Sequence, residues 1–301
     1  MSEFVLNPIA EKITERVMWY FREISKIPRE SGHEEQIAKY LKEFAESMSN
    51  KGIEYIEIEK YNEEAKKNVH DIIITKPATK GYENIDIVIL QSHIDMVCVK
   101  VSDSTHDFRK DPIEIIIEDG KMRANGTTLG ADDGIGVACM LAILESDELS
   151  HPAIEALFTS DEEDAMTGAL AVERSMLKGS RLINIDTETE GVFYNGSAGG
   201  INANISFTPE YDESPNELEF YKIEISGLKG GHSGVEINNG RANANKLLAR
   251  TLNYLTNENM NKNFIKLHIA EFAGGNTKNL ISPKAYAVVG IDKKNYSAMA
   301  D

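Results

Sequence analysis

Positive charge is scarce in this 301-residue chain. Its 32 lysines and arginines are outnumbered by 49 aspartates and glutamates, which leaves a formal net charge of -17 at pH 7. Nucleic acids and anionic membranes would repel such a surface, so neither is expected as a partner. Cysteine is nearly absent. Cys98 and Cys139 are too few for a disulfide framework and fit a reducing compartment, and their apolar neighbours predict two buried small hydrophobes. Also lacking is any uninterrupted apolar run long enough to cross a bilayer, and charges throughout residues 1–20 leave no signal-peptide core. A cytoplasmic location is the expectation. No internal repeat and no low-complexity tract interrupts the chain, whose length suggests about two domains.

What the chain does have is alternation of strand and helix patterns. Apolar residues at Ile9, Ile13, Val17, Tyr20, Phe21 and Ile24 predict an amphipathic helix within Asn7–Ile27, and Ile37, Tyr40, Leu41 and Phe44 predict a second. β-branched stretches predict strands at Ile53–Tyr61 and Val69–Thr75, and the apolar run Ile85–Leu90 predicts a strand covered on both faces and ending at His93. A hairpin is expected over Pro112–Arg123 about Asp119-Gly120, then a helix over Gly134–Glu145, a strand over Ala153–Thr159, a helix over Gly168–Leu177 and a strand over Arg181–Asp186. This order predicts an α/β domain, a mainly parallel sheet flanked by helices, over residues 1–198. The texture then changes. Strands at Ile201–Thr208, Leu218–Ser226, Phe264–Ala273 and Ala285–Ile291, with a helix over Asn243–Asn257, predict a second, α+β domain over residues 199–301.

Four consecutive acids, Asp161 to Asp164, follow an apolar run. Carboxylates crowded into a folded pocket repel one another, so some take up protons or a cation neutralises them. A solvated acidic loop is the bland alternative. Three further stretches at the ends of apolar runs tip the balance: Ser92-His93-Ile94-Asp95, Gly130-Ala131-Asp132-Asp133 and Asn184-Ile185-Asp186. In a wound sheet, functional groups gather beyond the carboxyl ends of the strands, and His93, Glu162, Glu163 and Asp186 all fall there, with Asp132 at a helix entrance. His93 and Asp95 are two apart, so in extended chain the carboxylate can orient the imidazole. His33, His70, His106 and His151 read as surface or capping residues, and Asp133 as a helix cap.

These motifs, with Gly230-Gly231-His232-Ser233-Gly234 and the run from Gly274 to Ile281, resemble the M20 family of co-catalytic metallopeptidases. Gly-Gly-His-Ser-Gly-Val-Glu-Ile followed by Arg241-Ala-Asn-Ala-Asn-Lys246 is similar to its aminoacyl-histidine dipeptidase branch. The resemblance implies a zinc-peptidase-like catalytic domain, a lid domain and two divalent metal ions, with zinc expected and manganese or cobalt as alternatives. It implies that Asp132 bridges the ions, with a cis peptide to Asp133, that His93 and Asp186 hold one ion and Glu163 the other. Glu162 would be the general base, Asp95 the acid that orients His93, and His232 and Asn279 would contact substrate. A small peptide substrate and a homodimer through the lid are implied as partners.

The family pattern also has a closing stretch that supplies a last metal-binding histidine. After Asp186 this chain offers only His232, assigned to the lid, and His268, within a strand, so the expectation is a shortened chain with an incomplete second metal site. The leading expectation is hydrolysis of dipeptides, Xaa-His among them. An acyl-amino-acid amidohydrolase or tripeptidase is the alternative enzyme, and an inactive metal-binding fragment the alternative of another class.

Overall fold

The computed structural model describes residues 8–187, 189, 191–197, 199, 203–206, 208–211, 218–234, 236–275 and 279–292. The chain divides into two units, Met1–Ser197 and Ala198–Asp301.

In the first unit, α1 (Pro8–Ile24) and α2 (Glu35–Ser47) follow the apolar spacing of their sequences. They bury Phe21, Ile24, Ile37 and Leu41 completely, each worth roughly 1.5–3 kcal/mol relative to exposure. Next come β1 (Glu54–Asn62), β2 (Lys67–Lys76) and β3 (Val88–His93), then a hairpin of β4 (Ile115–Glu118) and β5 (Lys121–Ala124). Asp119 and Gly120 both take positive φ there, as a two-residue turn between twisted strands requires. Helix α3 (Ala131–Glu145) packs against α1 and β3, and β6 (Ile154–Thr159), α4 (Thr167–Ala171) and β7 (Arg181–Asn184) complete the unit.

The strand order is β1-β2-β6-β3-β7. The sheet is mixed: β1, β2 and β6 run antiparallel, whereas β6, β3 and β7 are parallel. Period-two alternation fills both faces. Ile72, Ile74, Leu90, Ala156 and Phe158 point into the main core beneath α1, α2 and α3, while Ile73, Ile89 and Leu157 meet Ala171, Val172 and Leu177 on the other side. The helix expected over Gly168–Leu177 is cut short at Ala171, because Val172 turns extended and the chain bends to bring Val172, Met176 and Leu177 onto that second core. Cys98 and Cys139 are half-buried rather than buried, and His151 is buried rather than superficial.

In the second unit, β8 (Leu218–Ile225), β12 (Ala285–Asp292) and β10 (Leu267–Gly274) form an antiparallel sheet in the order β10-β12-β8. Helix α5 (Ala244–Thr256), capped by the Asn243 side chain on the Lys246 N–H, buries Ala244, Leu248 and Leu252 against Ala287, Val289 and Ile291. Two short strands, β9 (Gly231–His232) and β11 (Leu280–Ile281), pair with each other. Of the strand expected over Ile201–Thr208, residues 203–206 and 208 carry no strand and the others lie outside the described residues.

Candidate metal centre

The register of the parallel strands sets the site. His93 pairs with Thr159, so β3 and β6 end level with one another, whereas Gln91 pairs with Asn184, so β7 ends two residues lower. Ser160 to Glu163 therefore begin where His93 stands, and Asp186, two residues past Asn184, reaches the same height. The N-terminus of α3 arrives from above β3. Ser92 Oγ donates to Asp133 Oδ2 at 2.5 Å, and Asp133 Oδ1 accepts the Gly136 N–H at 3.1 Å, which ties the helix start to the strand and caps it. Asp132 and Asp133 lie outside helical geometry and are joined by a cis peptide.

Five chemistry-bearing side chains meet here. His93 Nε2 lies 3.0 Å from Asp132 Oδ1 and 4.0 Å from Asp186 Oδ2. Two groups of donors, His93 with Asp132 and Asp186, and His93 with Glu162 and Glu163, each fall within 4.8 Å. The far side of the ring is fixed by Asp95, whose Oδ1 is 3.2 Å from His93 Nδ1. With the Nδ1–H directed at Asp95, Nε2 is turned toward the acids. Asp95 is fully buried and also accepts Ser31 Oγ at 2.7 Å and the Glu162 and Glu163 N–H groups at 3.0 and 3.2 Å.

Electrostatics mark the same place. Burial pushes Glu163 and Asp186 up to about 7, each with further help from neighbouring acids, and raises Glu162 as well. Burial would lower His93, but Asp95, Asp132 and Asp186 overcome it and carry the imidazole to about 10. For Asp95 burial opposes ionisation, yet the bonds from His93 and Ser31 hold it below the ordinary carboxylate range. Acids that retain protons near neutrality around one imidazole are short of positive charge, which a divalent cation would supply. One imidazole nitrogen with several carboxylate oxygens is a donor set for zinc or manganese, so the residues present fit such an ion.

Several supporting residues carry no signal in the sequence reading. Arg29, 2% exposed, donates to the carbonyls of Asp95 at 2.9 Å and Ile94 at 3.2 Å and to that of Gly130, so one guanidinium joins the His93 loop to the entrance of α3. Gly130 has φ +68°, and a Cβ there would sit 2.5 Å from Arg29 Nη2. Asp161, the first of the four consecutive acids, is fully buried and accepts from Lys67 and from Thr167 Oγ1 at 2.7 Å.

His232 and Asn279 belong to the second unit. The β9–β11 ladder brings them together: Leu280 pairs with His232, and the Ser233 N–H donates to the Asn279 carbonyl at 2.8 Å. Glu236 accepts the His232 N–H at 2.9 Å and grips Arg241, whose guanidinium reaches the Gly230 carbonyl at 2.6 Å. The histidine loop is thus braced from within its own unit.

Comparison with known proteins gives consistent matches. Residues 89–281 fit the profile of peptidase family M20/M25/M40. The chain is 40% identical over 281 residues to the cytosol non-specific dipeptidase of Escherichia coli (strain K12), an alignment that covers 93% of this chain and 54% of that protein. The crystal structure of aminoacylhistidine dipeptidase from Vibrio alginolyticus matches with a TM-score of 0.61 at 35% identity, over 100% of this chain and 57% of that one. A tripeptidase from Staphylococcus aureus, at 19% identity and a TM-score of 0.50 over 94% of this chain and 68% of its own, shares the fold. The chain spans about half the length of the curated relatives it matches.

Proposed function

This chain belongs to peptidase family M20/M25/M40, and from that premise we propose that it carries the metal-binding and proton-transfer residues of a dipeptidase. The observation that carries the reading is the convergence of two three-donor groups on one imidazole, His93. In this reading His93, Asp132 and Asp186 would hold one divalent ion, and Glu163 together with Asp132 would hold a second. Zinc is the first choice of metal. When bound, such ions polarise the scissile carbonyl and make water more acidic.

The protein's own groups do the rest. Asp95 keeps the Nδ1 proton of His93, so that Nε2 points inward as a ligand. Glu162 takes the proton of the attacking water and delivers it to the leaving amine, and burial raises its pKa above the ordinary carboxylate value, which makes it a stronger base. His232 and Asn279, adjacent in the second unit, contact the substrate. Dipeptides are the substrate class, in keeping with the two relatives named as dipeptidases, and Xaa-His sequences are included because one of those is named for aminoacylhistidine. The protein acts in the cytoplasm as a homodimer through its second unit; two free cysteines support a reducing compartment.

The test separates ligand from base. Glu162→Gln should retain bound metal, counted by elemental analysis, and lose hydrolysis of a dipeptide panel; Asp132→Ala should lose the metal as well. Equal metal loss in both variants would contradict the assignment of Glu162. Turnover of other dipeptides without any turnover of Xaa-His dipeptides would remove Xaa-His from the substrate class.

A further inference from the structure

At the end of β6 the chain leaves the sheet ladder, and the N–H groups that follow need acceptors elsewhere. Four in succession find them on buried carboxylates. The Ser160 N–H donates to Asp71 Oδ1 at 2.8 Å and the Asp161 N–H to Glu34 Oε1 at 3.0 Å, ahead of the two that donate to Asp95. These acids come from separate elements: Asp71 from β2, Glu34 from the residue before α2, and Asp95 from the loop after β3. All three are fully buried.

Burying a carboxylate is costly unless its bonds are essential. Asp71 also accepts the Ser160 hydroxyl at 2.8 Å, and Glu34 Oε1 also accepts the Gly32 N–H at 2.7 Å. Helix capping does not explain Glu34, because its side chain makes no capping bond to α2. Its second oxygen, Oε2, has no hydrogen-bond partner among the described residues. Burial raises Glu34 to about 8 and Asp71 to about 6, so near neutral pH Glu34 can serve as a neutral acceptor through Oε1. Gly168 shows how tightly this corner is packed: a Cβ there would lie 2.4 Å from Asp71 Oδ1 and 2.5 Å from the Ser160 carbonyl.

We propose that Glu34 and Asp71 are positioning residues which, with Asp95, hold the main chain of Ser160–Glu163 and so fix where Glu162 and Glu163 project into the centre. The inference rests on the roles proposed above for those two glutamates. Glu34 acts through the backbone of Asp161, one residue ahead of Glu162, and Asp71 through that of Ser160, two residues ahead. Removing either acceptor leaves a buried N–H unmatched, and the turn can then rotate away from its donor geometry.

The experiment compares Glu34→Ala, Glu34→Gln and a control, Leu41→Ala, which removes a buried side chain from α2. Manganese affinity is measured by isothermal titration calorimetry, and deuterium exchange is followed over residues 158–166. Glu34→Ala should bind manganese at least tenfold more weakly and exchange at least tenfold faster in that segment. Glu34→Gln, which keeps the acceptor oxygen, and Leu41→Ala should stay within threefold of the parent in both. Asp71→Ala should behave as Glu34→Ala does. If Glu34→Ala does not fold, Glu34→Asp, one methylene too short to reach the Asp161 N–H, is judged by the same thresholds. Parent-like affinity and exchange in the folded variant, or an equal loss in Leu41→Ala, overturns the proposal. Should the parent itself bind no manganese, the functional reading fails, and exchange over residues 158–166 alone decides the positioning role.

Discussion

Asp95→Asn removes one acceptor oxygen from a carboxylate that serves four donors. Oδ1 faces His93 Nδ1 and the Glu162 N–H; Oδ2 faces Ser31 Oγ and the Glu163 N–H. If the asparagine oxygen replaces Oδ1, its NH2 points at the Glu163 N–H, donor against donor. In the flipped amide the NH2 meets the Glu162 N–H, and His93 must move its proton to Nε2, where a ligand lone pair is needed. In both orientations one buried N–H of the acidic turn is orphaned, costing about 1–3 kcal/mol, and the remaining bonds lose their charge-assisted strength. Relief of repulsion among the neighbouring acids acts the other way. The depressed pKa of Asp95 points the same way as the lost bonds, since its hydrogen bonds and the neighbouring His93 charge outweigh burial.

The expected result is a loss of about 2–4 kcal/mol from metal-free unfolding in urea at pH 7. Trp19, the sole tryptophan, packs edge-on against Tyr20 with Arg16 above its ring, so its fluorescence reports on the first unit. Metal affinity should fall by about 10–100-fold in a chelator-competition assay. A variant within about 0.5 kcal/mol of the parent and with unchanged affinity would refute the argument, because the four bonds would then be worth no more than a surface substitution.

Three further outcomes follow from the geometry. Arg29→Met should destabilise the first unit by about 2–4 kcal/mol, measured by the same fluorescence, because it leaves the Ile94, Asp95 and Gly130 carbonyls without their shared donor; a loss under about 0.5 kcal/mol would sink that account. In metal-free protein, stability should decline between pH 5 and pH 8. Glu34 has a folded value near 8, above its ordinary 4.5, so its contribution is complete below the lower value and is lost as pH rises through the higher. Glu34→Gln should flatten that slope by about 1.4 kcal/mol per pH unit, and an unaltered slope in urea titrations would exclude Glu34 as a source. Finally, saturating zinc at about 100 times its dissociation constant should add about 2.7 kcal/mol to stability, removed by chelator; identical melting with and without chelator would speak against a built site.

Much of this was legible from residue patterns. The three-and-four spacing of apolar residues located α1, α2 and α5, and Asp119-Gly120 located the hairpin turn. Ligand-type residues at the ends of apolar runs pointed to one rim, and the structure brings His93, Asp132, Glu162, Glu163 and Asp186 together there. Arg29, Glu34 and Asp71 escaped because their partners lie 65 to 127 positions away and no local pattern encodes such a bond. The early end of α4 was hidden for a related reason: it is settled by how Val172, Met176 and Leu177 pack on the second core, which single-segment propensity does not record, and the antiparallel half of the sheet was hidden because a strand's own pattern does not encode its direction.

The shared register of β3, β6 and β7 makes the sheet a ruler marked in single residues. A one-residue insertion within β7 would carry Ile185 to the mark held by Asp186 and turn the carboxylate toward the opposite face, while most ladder bonds could re-form one step along. Length changes in this strand are therefore tolerable to folding and ruinous to the donor geometry, which makes β7 the place where a sequence losing these donors would keep its shape longest.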